Sequence, residues 1–75
     1  MLFDDALDVA GQRCPLPVLK ARKRMKALQS GAVLRVFADD PLAEIDIPAF
    51  CNEDGHELVG RMPRGTGWQF FIRKG

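Results

Sequence analysis

A chain of 75 residues, 47% hydrophobic, is expected to fold as one domain, residues 1–75, around a single small core with a modest margin of stability. Eleven Lys and Arg against ten Asp and Glu leave a net charge of +1, which argues against a dedicated nucleic-acid binder unless charge is segregated locally. Two cysteines, Cys14 and Cys51, and one histidine, His56, supply neither a disulfide framework nor a paired metal-ligand spacing.

The opening MLFDD is acidic where a signal peptide would be basic, and no apolar run nears the ~20 residues a membrane helix needs. A cytoplasmic protein without membrane insertion is expected, in a reducing setting, with no metal and no cofactor. Residues 6–10 alternate small or acidic side chains with Leu7 and Val9, the period of a half-buried strand, and Gly11 ends it. From 15 to about 29, Val18, Ala21, Met25 and Leu28 recur at helical steps, and Ser30-Gly31 stops the run. Residues 32–38 are rich in Val, Leu and Phe and predict a second strand; Asp39-Asp40-Pro41 then offers capping oxygens and a helix-starting proline. The second helix places Ala43, Ile47, Phe50 and Cys51 on one side and ends near Asp54-Gly55, with Pro48 a point where it splits or kinks. Residues 56–62 and 67–73 read as two strands joined by Pro63-Arg64-Gly65-Thr66. The order β-α-β-α-β-β with a right-handed crossover predicts a two-layer α/β sandwich: a four-stranded mixed sheet with two helices on one face.

The stretch GQRCPLP is the candidate for chemistry. Read as a helix start, it makes Cys14 the N-cap, Pro15 N1 and Pro17 N3, with Leu16 and Val18 as the nearest free N–H donors. The helix dipole is worth roughly 0.3–1 kcal/mol, up to ~2, and about 1.36 kcal/mol is one pKa unit. From about 8.5, the Cys14 thiol would fall to about 7, and Arg13 beside it pulls the same way. A sulfur nucleophile is the expectation. The alternative, a small capping residue with prolines setting the entry angle, stays open, although Ser, Thr, Asp or Asn would cap better. A Cys-His hydrolase lacks an oriented base, and His56 reads as a strand-start residue. Cys51 shares the apolar side of the second helix and reads as a packed small hydrophobe, not a resolving cysteine.

The run DVAGQRCPLP resembles the D-x-x-G-x-x-C-P-x-P signature of the TusA/SirA-like sulfur-carrier family, and the length, element order and the segments DDPLAEIDIPAFC and GHEL extend the likeness over nearly the whole chain. Gln12 stands where leucine is often found. The resemblance implies a sulfurtransferase-type relay: Cys14 accepts sulfane sulfur as a persulfide from a cysteine desulfurase or rhodanese-like donor and hands it to an acceptor protein. Pro15 and Pro17 would shape the helix start, and Asp8, Gly11 and Arg13 would support the motif. It also implies service to tRNA thiolation, molybdenum cofactor assembly or sulfur metabolism, with nucleic acid involved only indirectly.

Helical geometry turns Leu16 toward Lys20 and Lys23, with Arg24 on its flank, so Cys14 would crown a basic ridge that docks on acidic partner surfaces. A merely solvated helix face with cations near its C-terminus is the competing reading of those residues. The competing function is an RNA- or protein-binding module on the open sheet face. Alternation would turn Arg35, Phe37, Val59, Arg61, Phe71 and Arg73 outward, a set able to stack bases or to form a weak homodimer, although no RNP-type sequence is present.

Overall fold

The computed structural model of the chain describes residues 2–75. Its elements are β1 (Asp5–Asp8), α1 (Leu16–Lys26), β2 (Val33–Ala38), α2 (Ala43–Asp54), β3 (Glu57–Arg64) and β4 (Gly67–Arg73). The sheet runs in the order β1-β2-β4-β3, with β1 parallel to β2 and the other pairs antiparallel. It is the mixed sheet of a two-layer α/β sandwich, as the sequence pattern predicts.

Inward alternation builds the core. On β2, Leu34, Val36 and Ala38 are buried; on β4, Phe70 and Ile72 meet them from the neighbouring strand. The α1 contribution is Pro17, Ala21 and Met25, spaced four apart on one helix face, with Val18 and Leu28 packed at the margin. From α2 come Ala43, Ile47, Phe50 and Cys51, the side the apolar spacing predicted. Each fully buried Phe or Leu of this set contributes roughly 1.5–3 kcal/mol relative to exposure.

Pro48 neither splits nor ends α2, which runs unbroken from Ala43 to Asp54. The missing N–H removes one intrahelical bond, a cost the packing of Ile47 and Phe50 offsets. The helix stops at Gly55, whose φ of 75° lets the His56 N–H return to the Cys51 carbonyl at 2.8 Å. His56 packs edge-on against Phe50 and its Nδ1 accepts the Gly75 N–H at 3.1 Å, a structural place at the entry to β3.

The hairpin turn is shorter than the four-residue loop expected, because β3 extends through Pro63 to Arg64 and only Gly65-Thr66 remain between the strands. Proline is tolerated there since β3 lies at the sheet edge. A bulge between Leu58 and Gly60 adds one residue to β3, so Arg61 opposes the inward-facing Phe70. Arg61 therefore turns to the helix side, 4.7 Å from the Trp68 ring and 4.0 Å from Glu44, and not to the open face as simple alternation implied. On that open face Phe71 is buried at 3% exposure, while Arg35 lies over Phe3 and Arg64 over Phe37. Two of its arginines are thus already stacked on the protein's own rings.

Candidate functional site

The candidate site is where the β1–α1 loop meets the β2–α2 loop. β1 ends on an Asx turn, Asp8 Oδ1 accepting the Ala10 N–H at 2.9 Å. Gly11 follows with φ 81°, a left-handed conformation that only glycine adopts cheaply, and its N–H donates to Asp39 Oδ1 at 2.9 Å. The same oxygen takes the Arg13 guanidinium at 3.4 Å. Arg13 is therefore partnered with Asp39 instead of being reserved for the Cys14 sulfur.

Helix α1 begins one residue later than the motif suggested. Pro15 is the N-cap and Pro17 is N2; the Cys14-Pro15 peptide is cis, and Cys14 stands just before the helix. The reason lies in the loop hydrogen bonds. Cys14 N–H donates to Asp40 Oδ2 at 2.6 Å, Leu16 N–H donates to the Arg13 carbonyl at 2.8 Å, and the bond into the helix runs from Leu19 N–H to the Pro15 carbonyl at 3.1 Å. With its N–H spent on Arg13, Leu16 is not the free donor that the N-cap reading required.

Asp40 is the buried charged side chain of the core region, 6% exposed. One oxygen holds Cys14 and the other accepts the Leu42 N–H at 3.1 Å, so a single carboxylate caps the turn into α2 and anchors the loop bearing the thiol. Sequence reading found Asp40 as a helix-start residue; its bond to a backbone 26 positions away carried no local signal.

The Cys14 side chain is exposed. It sits at the mouth of a cleft of about 210 Å³ between α1 and α2, walled by Val18 and Arg22 on one side and Asp46, Ala49 and Glu53 on the other. The Asp46 carboxylate accepts the thiol's hydrogen bond; together with slight desolvation and the negative charges of Asp46 and Asp40, it pushes the Cys14 thiol above its ordinary pKa. This reverses the expected direction. Two carboxylates brought from α2 and its entry outweigh the dipole of a helix that starts beyond the sulfur.

The remaining candidates divide. Leu16, Lys20 and Lys23 are exposed along α1, with Leu19 beside them, a half-exposed apolar residue that the motif reading passed over. Arg24 instead bonds Asp5 at 3.0 Å and the Ala6 carbonyl at 3.2 Å, tying α1 to β1. Arg22 bridges to Asp54 at 2.9 Å across the helix pair and lies over the Phe50 ring. Cys51 is 3% exposed and its thiol is pushed up to about 11 by burial. Among the described residues no group of three or more His, Cys, Asp or Glu could hold a metal ion, and no helix is long and apolar enough to cross a membrane.

The family model described as sulfurtransferase TusA matches residues 5–74. The chain belongs to the TusA sulfurtransferase family. Its fold is also that of a SirA-like protein from Desulfitobacterium hafniense, superposing with a TM-score of 0.78 at 22% identity over 93% of this chain and 95% of that one. In this TusA-family chain, the matched segment contains the whole Cys14 loop, both helices and the carboxylates that face the thiol.

Proposed function

We propose that the chain is a single sulfur-carrier domain, 1–75, in which Cys14 takes up a sulfane sulfur as a persulfide and passes it to an acceptor protein. The observation that carries this reading is the placement of an exposed thiol at the open mouth of the interhelical cleft, on a loop fixed by Asp40 and Asp39. A carrier needs a reachable sulfur on a rigid mount more than it needs a closed pocket.

The exchange is balanced without an added oxidant. The Cys14 sulfur attacks the outer sulfur of a donor R–S–SH, the donor S–S bond breaks, and the products are Cys14–S–SH and R–SH. The proton of the Cys14 thiol ends on the donor sulfur. Asp46, which holds that proton at rest, keeps the unloaded thiol quiet until a partner is in place. Pro15 and Pro17 limit the helix entry to few conformations, with Pro17 buried beneath it. Asp8, Gly11 and Arg13 hold the loop through the Asx turn and Asp39. Leu16, Lys20 and Lys23 form an apolar-tipped basic ridge for acidic partner surfaces, with Arg24 at its edge; opposed charge there speeds encounter. The donor is a cysteine desulfurase or rhodanese-like protein of the cytoplasm. The acceptor belongs to tRNA thiolation, molybdenum cofactor assembly or sulfur metabolism, and no cofactor takes part.

The test is intact-mass spectrometry after incubation with a cysteine desulfurase and cysteine. One added sulfur atom, removable by reductant and absent from Cys14→Ser, is the expected result. A Cys14→Ser protein that loads as well as the parent would refute the reading.

A further inference from the structure

Cys14 stands between two unlike surfaces. On the α1 side are Leu16 and Leu19 with the exposed Lys20 and Lys23. On the α2 side, Leu42, Asp46, Ala49 and Glu53 follow at steps of four, three and four, so they form one line along the helix that passes the thiol at Asp46. This line is acidic and apolar. Leu42 is 51% exposed and its neighbour Ile45 68%, large side chains left in water at the N-terminal end of the same helix. Among the described residues no cation lies within ion-pair distance of Asp46, and Glu53 meets Arg22 only at 3.7 Å while Arg22 sits closer to Asp54. Asp46 and Glu53 thus line a cleft whose one guanidinium, Arg22, is already bonded to Asp54, and the α2 wall carries net negative charge.

We propose that this α2 wall is a second docking surface, taking a partner protein that carries lysine or arginine beside its exchanging cysteine and an apolar residue to cover Leu42 and Ile45. The proposal rests on the sulfur-carrier reading, since a carrier must meet a donor and an acceptor at one sulfur. Charge complementarity selects the occupant: an acidic partner is repelled by Asp46 and Glu53 and is left to the basic ridge on α1. A cation placed at Asp46 also offsets the carboxylate that holds the Cys14 proton, so arrival of the matching partner frees the nucleophile.

Short synthetic peptides test this, each with one cysteine activated as a 2-thiopyridyl disulfide and flanked by lysines, glycines or glutamates. Cys14 sulfur attacks the peptide sulfur, the peptide–pyridyl S–S bond breaks, thiopyridone leaves and is read by absorbance, and a mixed disulfide forms. Cys14→Ser gives the blank. The lysine peptide should react faster than the glycine peptide, by roughly tenfold at low ionic strength, converging as salt is raised, while the glutamate peptide reports on the α1 ridge. Ala49→Lys and Glu53→Lys, both at exposed positions, should erase or invert that order, whereas Lys20→Glu should leave the lysine preference in place. Equal rates for the lysine and glycine peptides, or a lysine preference that survives Ala49→Lys and Glu53→Lys, would overturn the docking surface. Loading with inorganic polysulfide, read by intact mass, separates the two claims. Failure to load strikes the carrier reading, while failure of the peptide order strikes only the second surface.

Discussion

Asp40 joins the thiol loop to the second helix, so its removal has a cost that can be worked from geometry. Its two oxygens accept two backbone N–H groups, Cys14 at 2.6 Å and Leu42 at 3.1 Å, in a site 6% exposed. Hydrogen bonds to charged groups are worth about 1.5–3 kcal/mol each, and the relief of no longer burying a carboxylate offsets part of the pair. Asp40→Asn keeps one acceptor oxygen and presents an amide to the other donor, so a loss of about 1.5 kcal/mol is expected; Asp40→Ala orphans both donors and should lose about 3 kcal/mol. At roughly 4–8 °C per kcal/mol for a domain of this size, Tm should fall by about 9 °C and about 18 °C. Circular-dichroism melts supply the stability, and amide hydrogen exchange at Cys14 and Leu42 supplies the location, both amides exchanging faster in either variant. Melting of Asp40→Ala within about 0.5 kcal/mol of the parent, or unchanged exchange at Cys14, would refute the assigned role.

Three further outcomes are expected. Asp46→Asn removes the negative charge that favours the protonated Cys14 thiol and can turn an amide donor toward the thiolate, so the pH profile of iodoacetamide alkylation should move to lower pH and the neutral-pH rate should rise; an unmoved profile contradicts the assignment. Cys51 is buried with a thiol pushed up to about 11, so the unfolded chain ionises it first; stability is intact below the ordinary thiol value of about 8.5 and declines as pH rises through about 11. Cys51→Ala should flatten that decline in pH-dependent urea melts, and an identical slope would argue against the burial effect. Gln12 has a buried Oε1 without a hydrogen-bond partner among the described residues, so Gln12→Leu should raise stability by about 1 kcal/mol in the same melts; a loss would mean that the amide is satisfied.

Much of the fold was legible because its signals are local. The alternation Leu34-Val36-Ala38, the helical spacing Ala21-Met25 and Ala43-Ile47-Phe50, and the left-handed Gly55 each act within a few residues. The bulge at Leu58/Gly60 was not legible, because nothing in the period-two pattern marks one extra residue, and it reversed the side assigned to Arg61. The sulfur itself was found from GQRCPLP, but its ionisation was read from the wrong neighbours. Arg13 and the α1 dipole are close in sequence; Asp40 and Asp46 are close in space, delivered by the parallel β1–β2 pairing that sets the two loops side by side. Nonlocal carboxylates decided the direction.

Whether Cys14 is the sulfur-bearing residue is read from a tryptic-peptide mass map of the sulfur-loaded protein after blocking free thiols. Cleavage at Arg13 and Lys20 isolates Cys14 in the fragment CPLPVLK, well separated from the fragment bearing Cys51. One extra sulfur is expected on CPLPVLK and none on Cys51. Extra sulfur on the Cys51 fragment, or on neither, would contradict it.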